Sequence, residues 1–111
     1  TADKRFGVAQ KTLDAGLVKD FYGQMSRALE AYLEERANIP ATGLTHDELR
    51  VAMEEAGYGQ RLVEEVIVEL ENSDFARFAP AASADEQMKT ALNRMRVLVD
   101  QLDAVNPQGK S

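Results

Sequence analysis

The spacing of apolar residues predicts an all-α fold, a small antiparallel bundle of about four helices. Three observations predict it. Apolar residues recur three and four apart in each long segment, which makes one buried helical face. Capping boxes stand ahead of two segments, Thr45 with Glu48 and Ser83 with Glu86. The connections are short and carry Asn, Pro and Gly, so successive helices must fold back on one another.

Residues 1–16 read as a flexible or partly helical lead-in. Lys4, Arg5 and Lys11 outnumber Asp3, Asp14 follows, and Phe6, Val8 and Leu13 are thinly spread, so a frayed end is expected. The bundle domain is assigned to residues 17–104 and a disordered tail to residues 105–111. The first strong helix covers residues 17–36, with Leu17, Val18, Phe21, Tyr22, Met25, Ala28, Leu29, Tyr32 and Leu33 in one stripe. Gly23 inside it weakens helix propensity by about 1 kcal/mol relative to Ala and leaves room for close approach by another helix. Asn38 and Pro40 end the helix.

After a loop at residues 39–44, the Thr45 hydroxyl is placed to accept from the Glu48 amide, and Leu44 to staple against Leu49. The second helix turns Leu49, Ala52, Met53 and Ala56 inward. Gly57 closes it in the left-handed conformation, and Tyr58 folds back on it. A third helix is expected over residues 59–71 with Leu62, Val63, Val66, Ile67 and Leu70 inward. The β-branched run Val66-Ile67-Val68 also fits a strand, but the flanking Glu64, Glu65, Glu69 and Glu71 keep helical period. Asn72-Ser73-Asp74 breaks this helix, and residues 74–80 form an aromatic connector. The last helix carries Met88, Ala91, Leu92, Met95, Leu98, Val99 and Leu102 and stops before Asn106-Pro107. The two long helices are expected to pair, with the short central pair packed across them.

A chain of 111 residues is the size of one domain and buries roughly 65% of its unfolded surface, enough for one core. At 44% hydrophobic and 29% charged residues its composition is globular and not that of a disordered chain. The absence of cysteine excludes disulfides, thiolate metal sites and cysteine nucleophiles. The longest stretch without a formal charge, residues 37–46, holds Pro40 and Gly43 and is far shorter than the roughly 18 apolar residues of a membrane span. The net charge of -6 is concentrated: between His46 and Glu71 stand eight carboxylates and two arginines, while the rest of the chain is balanced. That segment is either a solvated helical face or an acidic docking surface for a basic partner.

No catalytic centre, cofactor site or metal site emerges. His46, the sole histidine, stands at a helix start with no partner set at the spacing that zinc or a di-iron bundle needs. Ser26, Ser73, Ser83 and Ser111 lack a base, and neither a phosphate-cradling glycine loop nor a calcium loop is present. Glu34-Glu35, Glu54-Glu55 and Glu64-Glu65 are adjacent pairs, whose side chains diverge by about 100° on a helix and share no site. The second and third helices around Gly57 have the outline of a helix-turn-helix, but a unit of charge -6 repels phosphate, so nucleic acid is not a partner.

The connector is the most distinctive stretch. Phe75 and Phe78 flank Arg77, and Pro80 sets the exit. In one view the phenylalanines plug the bundle and Arg77 pairs with Asp74 or caps the third helix. In the other, Phe75, Arg77 and Phe78 are a partner-binding knuckle, since aromatics and arginine are the usual interface anchors. A mixed arrangement is expected, with one phenylalanine buried and Arg77 partly exposed.

The succession Phe21-Tyr22, Ala28-Leu29, Tyr32-Leu33, Arg36, then Leu44-Thr45 with Glu48-Leu49, then Asp74 with Arg77-Phe78-Ala79-Pro80, resembles the C-terminal helical domain of the BatD family, bacterial aerotolerance proteins. The resemblance covers residues 18–102. It implies a cytoplasmic tail, on the inner face of the bacterial inner membrane, of a protein anchored by an upstream membrane helix. Lys4, Arg5 and Lys11 would then lie just inside the membrane. The partners it implies are von Willebrand A domain proteins or a MoxR-type AAA+ ATPase, with no enzymatic activity. The expected function is therefore a non-catalytic protein-interaction module. The alternative is a purely structural cap or dimerisation unit.

Overall fold

The computed structural model describes residues 6–78 and 84–105, and they form five α-helices and one 3-10 turn, with no strand among them. The helices are α1 (Gly7–Asp14), α2 (Val18–Ala37), α3 (His46–Glu55), α4 (Gln60–Phe78) and α5 (Ala84–Asp103), with the 3-10 turn at Ala41–Gly43. The all-α class stands, but the count is five instead of about four. Lys4, Arg5, Ala79, Pro80, Ser83 and the Asn106-Pro107 stop lie outside the described residues, and with them the second capping box and the connector's exit.

The fifth helix comes from the expected lead-in. An isolated helix of eight residues is unstable in water. Phe6, Ala9 and Leu13, spaced three and four, hold it by burial against α2 and α5. Gly16 then turns the chain at a positive φ of 73°. The Leu17 amide donates to the Thr12 carbonyl at 2.9 Å and the Gly16 amide to the Leu13 carbonyl at 3.0 Å, the paired bonds of a Schellman end. The same device closes α3, as expected. Gly57 has φ 100°, the Tyr58 amide donates to the Met53 carbonyl at 3.1 Å, and the Tyr58 ring is buried.

Asn38, at φ 61°, terminates α2 in the left-handed conformation. Glu34 accepts from the Thr42 amide at 3.0 Å, which fastens the 3-10 turn to α2 and holds the Glu34 carboxyl below the usual range. At the start of α3, Glu48 donates its amide to the Thr45 hydroxyl (3.1 Å) and accepts from the Thr45 amide (2.9 Å). Leu44 is half-buried against the core beside this box.

Helix α2 is central: α1, the 3-10 turn, α4 and α5 all pack on it. The expected scheme of two long helices crossed by a short pair is corrected, because α4 is as long as its neighbours and forms the main contact with α2, leaving α3 outside on α4. Gly23 on α2 lies beside Arg77 on α4, so these two helices run antiparallel. Tyr22 senses Arg94 and Tyr32 donates to Asp103, so α2 and α5 run parallel, with α5 antiparallel to α4.

Two polar links fasten α5 into the bundle. The Tyr32 hydroxyl donates to Asp103 Oδ1 at 2.6 Å, and Arg36 Nε lies 3.4 Å from the same oxygen. Arg94 donates from Nε and Nη2 to the two oxygens of Glu69 at 2.8 and 3.3 Å. The Glu69 side chain is nearly buried, and this bidentate contact satisfies it.

Burial raises all three tyrosines, Tyr22, Tyr32 and Tyr58, above the ordinary 10.0, and for Tyr32 the hydrogen bond and charge of Asp103 raise it further. Above that value the folded chain holds protons that the unfolded chain has lost, so stability falls as pH rises past 10. Ultraviolet titration should show little tyrosinate at about pH 10.5 in the folded protein, then joint release of the phenolates as it opens. A Cβ built at Gly23 meets Arg77 Nε at 3.9 Å, an ordinary contact with a flexible side chain and not with a helix backbone. Gly23→Ala should therefore stabilise the protein by about 0.5–1 kcal/mol, read by chemical denaturation.

Candidate interaction surface

The expected helix break at Asn72-Ser73-Asp74 is absent. The three residues have modest helix propensities, each unfavourable by less than about 1 kcal/mol. The inward stripe of α4 continues through them: Leu70 and Ser73 are buried and Ala76 packs against the core. Small side chains at these points suit close contact with α2, and tertiary packing carries the helix on to Phe78. The aromatic connector is therefore the last part of α4 and not a loop.

That register turns the phenylalanines outward. Phe75 is 71% exposed and Phe78 is 77% exposed, so neither plugs the bundle, and the expectation that one of them is buried is corrected. Arg77 is half-buried where it passes over Gly23, and its guanidinium stands 5.5 Å from the centre of the Phe78 ring, a cation–π contact. It forms no pair with Asp74 among the described residues. Phe75, Arg77 and Phe78 thus share one end of the bundle as two exposed rings, with the Arg77 cation beside Phe78.

Beside this knuckle lies a groove that sequence spacing did not reveal. Helices α4 and α5 leave between their outward faces a cavity of about 670 Å3 lined by Arg61, Glu64, Glu65, Val68, Glu69, Thr90, Asn93, Arg94, Val97, Leu98 and Gln101. A second cavity of about 340 Å3 shares Thr90 and Arg94 with it and extends along Asn72 and Ala76 to Phe75. Val68 is 46% and Val97 56% exposed. The signal was present in the sequence as a second stripe on α4, where Arg61, Glu65, Val68, Asn72 and Phe75 alternate four and three apart. Its mixed composition hid it beside the stronger core stripe.

The electrostatics of the surrounding acidic segment are largely paired. Arg50 donates to Glu64 at 2.7 Å and to Asp47 at 2.8 Å, which lowers the Glu64 carboxyl. Arg61 meets Glu65 at 2.8 Å. His46 Nδ1 lies 3.7 Å from Glu71, on the surface. Among the described residues no three His, Asp or Glu side chains gather as a metal site, and no helix is long and apolar enough to cross a membrane. A shallower depression of about 460 Å3 on α3 has Leu44, Val51 and Ala52 along its floor.

The residues that carry the BatD resemblance divide by role. Phe21 and Tyr22, edge-to-face at 4.9 Å, and Leu29, Tyr32, Leu33 and Leu49 are buried. Arg36 joins the Tyr32–Asp103 link, and Thr45 and Glu48 cap α3. These positions specify packing, whereas Arg77 and Phe78 reach the surface.

Phe75→Ala and Phe78→Ala should each leave stability within about 0.5 kcal/mol of the parent, because an exposed ring loses little when truncated. Chemical denaturation checks this; a loss near the roughly 3–5 kcal/mol of a buried aromatic would place the rings in the core.

No known protein family, no curated protein and no solved structure matches the chain.

Proposed function

We propose that this chain is a non-catalytic protein-interaction module, with Phe75, Arg77 and Phe78 as its anchor. The observation that supports this most is the pair of outward phenylalanines in the last turn of α4. Folding retains no free energy by exposing two aromatic rings, whereas binding a partner buries up to about 150–250 Å2 on each. The rings are held on a helix, with the Arg77 guanidinium beside Phe78, so little backbone entropy is lost on contact. The adjoining groove enlarges the surface that a partner can cover.

By its resemblance to BatD, the module is the cytosolic tail of a membrane-anchored envelope-complex subunit linked to aerotolerance or stress. It sits at the cytoplasmic face of the bacterial inner membrane. Its proposed partners are a von Willebrand A domain protein or a MoxR-type AAA+ ATPase.

The test uses the immobilised chain against a purified von Willebrand A domain protein and a purified MoxR-type ATPase from the same organism. One of them should be retained, and the double variant Phe75→Ser, Phe78→Ser should lose at least about tenfold in affinity with an unchanged melting temperature. Val51→Ser, on the outer side of α3, should bind like the parent. Equal binding by the double variant refutes the anchor; failure of both proteins to bind the parent refutes these partners.

A further inference from the structure

We propose that the groove between α4 and α5 docks a basic amphipathic helix of about four turns from a partner protein. The proposal rests on the interaction-module reading and adds the shape and charge of what is bound.

The shape comes from the two helices. The outward stripe of α4 runs from Arg61 to Phe75, roughly 21 Å at 1.5 Å per residue. Helix α5 runs antiparallel beside it, with Thr90 and Val97 on the same side. Two antiparallel helices present a straight channel in which a third helix packs 8–10 Å from each axis. The two cavities, about 670 and 340 Å3, meet at Thr90 and Arg94 and make that channel continuous. A strand would leave its backbone groups unpaired here, because both walls are helices whose own backbone bonds are closed. A helix brings its backbone bonds already made.

The floor and rim set the composition of that helix. Val68 and Val97 stand exposed midway along the channel and Phe75 at one end. An apolar stripe at helical spacing covers all three, the usual mode of helix-in-groove recognition. The lining has four carboxylates, Glu64, Glu65 and Glu86 towards the rim and Glu69 deeper, against Arg61 and Arg94. Both of these guanidiniums are held by the groove's own acids, Arg61 by Glu65 and Arg94 by Glu69, each at 2.8 Å. Glu64 is held from outside the groove by Arg50 at 2.7 Å, an arginine it shares with Asp47, so among the described residues Glu86 is the carboxylate of the lining with no arginine on it, and the lining stays net negative in a chain of net charge -6. Lysines and arginines flanking the apolar stripe complement it. A second copy of this chain would set the same acidic lining against itself across a two-fold axis, and like charges oppose that contact.

Three synthetic helices of about 15 residues test this, each side-chain stapled, with one leucine stripe flanked by lysine and arginine, by glutamine, or by glutamate. They are titrated into the 15N-labelled full chain. The basic helix should bind and shift the amides of Val68, Thr90 and Val97. Val97→Glu should weaken it by about tenfold and the double variant Glu65→Lys, Glu86→Lys by a similar factor, with affinity falling as salt rises. All of these positions are exposed or half-exposed, so folding is preserved and is verified by the unchanged melting temperature. Equal or tighter binding of the neutral or acidic helix overturns the charge assignment. Absence of binding by all three at about 1 mM overturns the helix itself. Sedimentation showing a dimer that protects Val68 and Val97 assigns the groove to a second copy and also overturns it. In each of these cases capture of a partner through Phe75 and Phe78 can persist, so the failure of this proposal is distinct from the failure of the module reading.

Discussion

The apolar surface of α2 is too wide for one neighbour. At 100° per residue its buried positions Phe21, Tyr22, Met25, Leu29, Tyr32, Leu33 and Ala37 spread over roughly 160° of the helix. A stripe of about 100° serves a helix that lies against a single layer. Helix α2 must instead be enclosed, and α1, the 3-10 turn, α4 and α5 each cover a sector of it. Much of the remaining architecture answers this demand. It explains why residues that look like a loose lead-in fold into α1, and why α4 continues through residues of modest helix propensity.

Enclosure of α2 also determines which faces are left over. Helix α4 spends one side on α2 and another on α3, and α5 spends its strong stripe on α2 and α1. The outward faces of α4 and α5 then lie side by side with no further helix among the described residues to cover them. Val68, Val97 and Phe75 remain in water along that line, at exposures that the core residues of the same helices never approach. The groove and the aromatic knuckle are thus one continuous consequence of the way α2 is packed.

Polar chemistry secures this arrangement at α5. The Tyr32–Asp103–Arg36 link holds its C-terminal end and the Arg94–Glu69 pair its middle. The second of these sits in the groove itself, so the floor of the proposed docking site is braced by a contact whose loss would strand a nearly buried carboxylate. The site is held in shape by the same bonds that hold the helices together, which favours a partner that fits a preformed channel.

Much of the fold was legible in the chain because its causes are local. Helical spacing, the Thr45–Glu48 capping box, the helix stop at Asn38, the left-handed Gly57 and the seven inward residues of α5 depend on neighbours within a few residues. Three features were decided by tertiary structure. Helix α1 exists because Phe6, Ala9 and Leu13 find α2, not because eight residues favour helix. Helix α4 passes Asn72-Ser73-Asp74 because its inward stripe continues through the buried Ser73 and the half-buried Ala76, and packing of that face outweighs the modest propensities of the three residues. Phe75, Arg77 and Phe78 stood out by composition, but whether the rings turn in or out depends on the register of α4 around α2, which no local pattern contains. The sequence by itself determined an all-helical chain with its caps and inward stripes. The exposed rings and the α4–α5 groove arose only when α2 had chosen which neighbours enclose it, since exposure is a property of the whole packing and not of a residue's own neighbourhood.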